Sequence, residues 1–216
     1  MLTFPEELML LLLDDTDGDF LPVAEGAIRY ALSGAVLMDL ALANRIDTDL
    51  DSLTLIDPTP VDDDLLDPAL ALIAASSERQ TPRYWVETIA NDAVNIREKA
   101  LARLVQRGIL ERQDERFLWV FRSRRYPVVD GTAEREVKLR IMGVLFSDEI
   151  PDPRDIVIIC LTYECGILQE LVPQREFKQM QDRIEQIRRM DLIGQAVSQS
   201  VWDIQTSLVA AAYPMV

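Results

Sequence analysis

Ala27-Ile-Arg-Tyr-Ala-Leu-Ser-Gly-Ala-Val-Leu-Met-Asp-Leu-Ala-Leu-Ala43 places Ile28, Ala31, Leu32, Ala35, Val36 and Leu40 at helical spacing. The pattern predicts a long, mostly buried helix with Asp39 turned outward. Ser33-Gly34 in its middle is small enough to admit a closely packed neighbour. Upstream, Thr3-Phe4-Pro5-Glu6 has the form of a helix start: Thr3 caps, Pro5 suits the first turn and Glu6 completes a capping box. That helix is expected to reach about Leu13. The following Asp14–Asp19 turn resembles a calcium loop only superficially, because the twelfth position falls on Ala24 and the bidentate acid is missing.

Downstream, Leu53-Thr-Leu-Ile56 reads as a short strand closed by Pro58 and Pro60. Asp62-Asp63-Asp64 precedes an apolar Leu65-Leu66 and reads as helix-start charge rather than a metal cluster. Helices are expected over Pro82–Ala90, Asn95–Arg107, Val137–Phe146, Arg154–Leu171, Phe177–Met190 and Val197–Ala212. Gly108 ends the second of these as a C-terminal cap. Ile109-Leu110, a polar turn at Arg112–Arg116, and Phe117-Leu-Trp-Val-Phe121 follow as a β-hairpin. With no repeat and no Ser/Gly-rich linker, residues 1–216 are expected to form one mainly α-helical domain with a β-hairpin and short strands.

The chain holds 22 Lys and Arg, 37 Asp and Glu and no histidine, for a net charge of −15. Without histidine there is no Ser-His-Asp or Cys-His machinery and no imidazole metal site. No Gly-rich phosphate loop and no activated nucleophile is visible. The residues therefore point to a protein that is not an enzyme and has no catalytic residues, metal or cofactor. Cys160 and Cys165 are expected as buried small hydrophobes. Acids flank the apolar run Leu8–Leu13, which is unlike a signal peptide, and no stretch offers the roughly 20 apolar residues of a spanning helix. A cytosolic protein is expected.

The charge is uneven. Residues 1–92 hold 19 acids and 4 bases, whereas residues 97–140 hold 12 bases and 7 acids. Such a basic segment either meets an anionic partner or pairs with the acidic half of its own fold. The order helix, Gly turn, basic hairpin from Ile96 to Phe121 also fits a winged helix acting on nucleic acid through residues 97–140. A sequence pI near 4.4 opposes that reading, so no nucleic-acid partner is expected. The other reading is a peripheral membrane or adaptor protein whose Arg-rich edge meets anionic lipid.

Leu2-Thr-Phe-Pro-Glu-Glu-Leu-Met-Leu-Leu-Leu-Leu-Asp-Asp15 closely resembles the opening motif of the Golgi phosphoprotein 3 family. The resemblance continues in order through Gly34–Ile46, Leu65–Leu70, Tyr84–Glu87, Asn95–Lys99, Leu104–Leu110, Phe117–Phe121, Arg154–Ile159 and Val201–Ala211. It implies a mainly helical, non-enzymatic peripheral membrane protein of the cytosolic face. It further implies binding of phosphatidylinositol 4-phosphate and, in eukaryotes, retention of Golgi glycosyltransferases, with protein tails as a further partner class. The chain begins at the motif without the basic tail of eukaryotic members, which suggests a stand-alone prokaryotic member.

Of the family's four phosphate-pocket positions, the second Arg of the helical Arg-x-x-Arg matches Arg97. The first falls on Val94, the Arg before the helix glycine falls on Ser33, and the Trp falls near Val23-Ala24. A degraded, less selective pocket is expected, lined by Arg97, Arg29 one turn before Ser33, and the Ser33 hydroxyl as a third donor. The plainer alternative ties Arg97 to Glu98 or Glu25, and Arg29 to Glu25 or the Asp14–Asp19 turn. At the hairpin, Trp119, Arg122, Arg124 and Arg125 are the expected membrane contacts, unless the hairpin instead packs on a second subunit as a homo-oligomer. Trp85 and Trp202 are expected in the core.

Overall fold

The computed structural model describes residues 1–14, 18–49, 51–117, 121–190 and 203. The architecture is mainly α, as the periodicity predicts. In order come α1 (Phe4–Leu11), α2 (Glu25–Leu42), β1 (Ile46–Thr48), β2 (Leu53–Leu55), α3 (Asp67–Ala75), α4 (Pro82–Ile89), α5 (Ala93–Gln106), β3 (Gln113–Phe117), β4 (Phe121–Arg125), α6 (Thr132–Leu145), α7 (Pro153–Glu164), α8 (Ile167–Leu171) and α9 (Gln174–Arg188). A 3-10 turn, Ala90–Asp92, joins α4 to α5. Strands β1 and β2 pair antiparallel, with Ile46 opposite Leu55; β3 and β4 form a separate antiparallel ribbon.

The capping box at Thr3 forms as expected. Thr3 Oγ1 accepts from the Glu6 backbone N–H at 3.4 Å, and Glu6 Oε2 accepts from the Thr3 N–H at 2.7 Å. What the motif does not announce is that all eight residues of α1 are buried. Helices α2, α5, α6 and α7 all pack on it, so it is the axis of the molecule. Its two acids, Glu6 and Glu7, are therefore carried into the interior and need partners.

Those partners come from distant helices. Arg154, in the first turn of α7, donates from Nε to Glu7 Oε1 at 3.2 Å, donates also to the Leu2 carbonyl, and lies 4.2 Å from the centroid of the Phe4 ring. Arg140 of α6 donates to Glu7 Oε2 at 3.2 Å and to Asp155 Oδ1 at 2.8 Å. Arg107 at the end of α5 pairs with Glu6 at 3.3 Å.

Asp39 is a correction. Helical spacing puts it on the side away from the apolar stripe, yet it is buried. Helix α2 is enclosed on both faces, and the buried N–H of Phe4, which has no acceptor within α1, needs a partner. Asp39 Oδ2 supplies it at 2.7 Å, with Arg154 3.6 Å from the other oxygen. Burial pushes the Asp39 carboxyl up to about 7, against the opposing pull of the Phe4 N–H and Arg154; Glu7 and Asp63 add to the rise.

Several boundaries also differ from the sequence reading; the helix expected from Val137 begins five residues earlier, at Thr132. The expected helix Arg154–Leu171 is divided at Gly166, which takes φ +79 and restarts the chain as α8. Asp63 and Asp64 do not start a helix; α3 begins at Asp67. The hairpin strands are displaced by several residues: the expected turn Arg112–Arg116 lies largely within β3, and Arg122–Arg125 lie within β4. Apart from Asp203, the expected Val197–Ala212 helix, with Trp202, lies outside the described residues. Gly108 ends α5 with φ +71, and Trp85 is buried, both as expected.

Two outcomes are expected. Arg154→Met leaves Glu7 short of a buried counter-charge and lowers the unfolding free energy by about 3–5 kcal/mol, read as an earlier urea midpoint. The second concerns pH. The native state holds the Asp39 proton up to about pH 7, whereas the unfolded chain releases it near pH 4. Stability from this group is thus full below pH 4 and is lost as pH rises to 7. Asp39→Asn, which cannot ionise, should gain on wild type by on the order of 2–4 kcal/mol between those pH values in urea titrations. A constant difference would show that Asp39 is ionised throughout.

Candidate functional site

Three residues one helical turn apart on α2, Glu25, Arg29 and Ser33, face the segment running from α4 into α5. Each finds a partner there. The Ser33 hydroxyl donates to the Val86 carbonyl at 2.7 Å. Arg29 donates from Nε and Nη2 to the Ala90 carbonyl at 3.3 and 3.1 Å. Arg97 donates from Nη1 to both oxygens of Glu25, at 3.1 and 3.2 Å. The seam thus runs from a fully buried hydroxyl at Ser33 to a surface ion pair, where the Glu25 side chain is 63% exposed.

The structure brings Arg97, Arg29 and Ser33 to one seam, but in different roles. Ser33 is wholly buried and its one proton goes to Val86, so it fastens α2 to α4 rather than facing a ligand. Arg29 does not reach Glu25 or the acidic turn; it closes on a main-chain carbonyl. Arg97 takes the plainer option and pairs with Glu25. Val94, which occupies a pocket position by resemblance, is exposed and apolar.

Sequence reasoning did not single out Phe20. Its ring lies under the Arg97 guanidinium, 4.2 Å from centroid to Cζ, and meets Tyr126 edge-on at 6.2 Å. No spacing signal ties residue 20 to residue 97.

Of the expected membrane contacts, Arg125 turns toward the body and pairs with Asp19 at 3.0 Å. The backbone register sets Arg116 opposite Arg122 and Asp114 opposite Arg124. Trp119 lies outside the described residues. At the ribbon's base, the Tyr126 N–H donates to the Gly18 carbonyl at 2.9 Å. Gly18 has φ +65, and a Cβ there would meet Pro127 N at 2.3 Å, so this junction requires glycine.

The remaining basic residues of α5 are engaged. Arg103 donates to both oxygens of Asp63, at 3.0 and 2.7 Å, and also to Asp64. Lys99 donates to the Asp64 carbonyl at 2.8 Å. Burial raises the Asp63 carboxyl, but Arg103 and the Leu65 N–H outweigh it and hold the group below its ordinary value. Asp63 and Asp64 are therefore a latch for α5. The helix that a winged-helix reading would present to nucleic acid has Arg97, Lys99, Arg103 and Arg107 holding acids of the N-terminal half. A shallow hollow of about 510 Å³ on α6, lined by Thr132, Arg135, Glu136, Leu139 and Arg140, shares no residue with the seam. Among the described residues no helix is long and apolar enough to cross a membrane.

A helical body built round a buried, charged α1, with an arginine-bearing seam and a basic ribbon at its edge, defines a protein of the mainly helical class. Comparison narrows this. The family model described as Golgi phosphoprotein 3 (GPP34) matches residues 4–204, and the chain belongs to that family. The vacuolar protein sorting-associated protein 74 of Eremothecium gossypii is 26% identical over 212 residues, covering 82% of this chain and 63% of the relative. The protein of the same name from Schizosaccharomyces pombe is 25% identical over 241 residues, covering 95% of this chain and 70% of the relative. The chain thus spans about two thirds of the length of these relatives. A non-enzymatic protein, as read from the residues, agrees with this membership.

Ser33→Ala should cost about 1 kcal/mol in a urea melt, the value of a neutral buried hydrogen bond, because it removes the α2–α4 fastening. No loss would mean that packing alone holds this contact.

Proposed function

We propose that this chain is a peripheral, Golgi-type membrane adaptor that binds an anionic headgroup, of the phosphoinositide kind, at the outer end of the α2–α5 seam. Arg97 is the principal ligand, Arg29 the second, and Ser33 fixes the seam on which both stand. The basic ribbon β3–β4 adds a non-specific contact through Trp119, Arg122 and Arg124. Protein tails are carried as cargo, and a second copy adds avidity.

One observation supports this above the others. Arg97 is stacked on Phe20 and held by a carboxylate that is itself largely exposed. A guanidinium set in this way is oriented by its aromatic neighbour, and its surface ion pair is worth only about 0–1 kcal/mol. A phosphate can therefore replace the carboxylate without breaking anything buried. Family membership supplies the prior for a headgroup as the ligand. The ribbon's opposed Arg116 and Arg122 positions suit an anionic surface.

Flotation with phosphatidylcholine vesicles carrying a monophosphoinositide tests the proposal. Arg97→Ala should weaken binding about fivefold or more, the worth of one basic group near an anionic surface. Arg29→Ala should weaken it less, because its guanidinium must first leave Ala90. Arg189→Ala, at the exposed end of α9, should leave binding unchanged. Equal binding by all four proteins would remove the seam from lipid recognition and turn the search to protein partners.

A further inference from the structure

The Glu25 carboxylate sits on the Nη1 corner of the Arg97 guanidinium. Arg97 Nη1 gives its hydrogen bonds to Glu25 Oε1 and Oε2 at 3.1 and 3.2 Å, and the guanidinium plane is backed by Phe20. Arg29, one turn along α2 from Glu25, gives two donors to a single neutral carbonyl at Ala90. The seam thus holds two guanidiniums, one of them already occupied by a tethered anion.

We propose that Glu25 is the specificity-determining residue of this site, a built-in competitor that admits terminal phosphomonoesters and turns away phosphodiesters; this rests on the headgroup reading above. Because Glu25 is carried on α2 beside Arg97, it competes at a high effective concentration. An entering phosphodiester brings a single negative charge, no more than the carboxylate it must displace, and two of its oxygens are esterified. It gains nothing by the exchange. A phosphomonoester near neutral pH carries a charge of about −1.5 to −2 and three terminal oxygens. It exceeds the carboxylate in charge and has oxygens left over for Arg29, whose present acceptor is uncharged. Charge-assisted bonds to phosphate are roughly twice as strong as bonds to a neutral acceptor, so the exchange at Arg29 is favourable too.

The competitor would also keep Arg97 from capture by bulk anionic lipid. Lipids such as phosphatidylserine and phosphatidylglycerol carry phosphodiesters only. A lone exposed arginine would meet them wherever they are abundant. An arginine already neutralised by Glu25 does not.

The test compares wild type, Glu25→Gln and Arg97→Gln on two soluble probes and two vesicle compositions. The probes are inositol monophosphate, a phosphomonoester, and glycerophosphoserine, a phosphodiester, titrated by calorimetry or NMR. The vesicles are phosphatidylcholine with either a monophosphoinositide or phosphatidylserine. Glu25 lies on the surface, so Glu25→Gln should keep its thermal midpoint.

Wild type should prefer the monoester in both formats. Glu25→Gln should bind glycerophosphoserine and phosphatidylserine vesicles about fivefold more tightly, the upper worth of an exposed ion pair, and lose much of its preference. Agreement between soluble and vesicle formats assigns the selectivity to the phosphate itself; selectivity seen only on vesicles would overturn the proposal in favour of the lipid surface. Unchanged or weaker diester binding by Glu25→Gln, with Arg97→Gln still defective, would overturn the competitor while leaving the headgroup site standing. Arg97→Gln binding as well as wild type would overturn both.

Discussion

The Arg154 guanidinium stands between two acids that the fold cannot leave in water, and most of the architecture is arranged round that fact. Glu7 enters the interior because α1 is an eight-residue helix enclosed on every side, and Asp39 enters because it caps the N-terminus of that helix through Phe4. Glu7 alone would be an uncompensated charge in a low-dielectric medium, and Asp39 is a buried carboxyl whose ionisation that medium opposes. Arg154 and Arg140 bring α7 and α6 against α1 to meet them, and Arg107 brings the end of α5 to Glu6. Apolar burial drives the collapse, but it is indifferent to register. The charges make one arrangement of the helices satisfactory and neighbouring ones expensive.

The same pairing explains the uneven distribution of charge along the chain. Arg97, Lys99, Arg103, Arg107, Arg125 and Arg140 each hold an acid from the first 92 residues. The basic segment is therefore in large part internal wiring, and the excess of acids remains for the surface. At long range the protein repels an anionic membrane, with a reach set by a Debye length of about 8 Å in physiological salt. Attachment must rest on local geometry rather than on a broad positive field. This is why a single stacked arginine and its competitor carry more weight in the proposed function than the count of basic residues.

Local features were legible and long-range ones were not. The capping box at Thr3, the stop at Gly108 and the period of α2 are written within a few residues, because capping and helical spacing are short-range physics. Asp39 defeated the period argument because α2 is buried on more than one face, where an amphipathic pattern no longer tells inside from outside. The hairpin register shifted because Phe117–Phe121 is apolar enough to look like a strand centre, while the ladder instead places Phe117 opposite Phe121 and extends through the polar residues on either side. At the seam, Arg97 was found by its place in a motif. Its partner Glu25 lies 72 residues away, and Phe20 carried no signal at all. Ser33, read from the sequence as a ligand donor, lies on the seam with its hydrogen bond pointing into the body, which no sequence spacing reveals.

The seam and the ribbon are not separate devices. Arg125 at the ribbon's base pairs with Asp19, Tyr126 meets Phe20, Phe20 supports Arg97, and Arg97 holds Glu25. Gly18 lets the acidic turn approach the main chain at Pro127 closely enough to close this path. A headgroup arriving at Arg97 therefore meets a group whose orientation depends on where the ribbon's base is fixed. Two contacts that are each too weak to hold a protein on a membrane become effective when joined rigidly at a short distance, since the second then forms at high effective concentration. The Phe20–Tyr126 contact supplies that join, and it makes Phe20, between α1 and α2, part of the proposed lipid site.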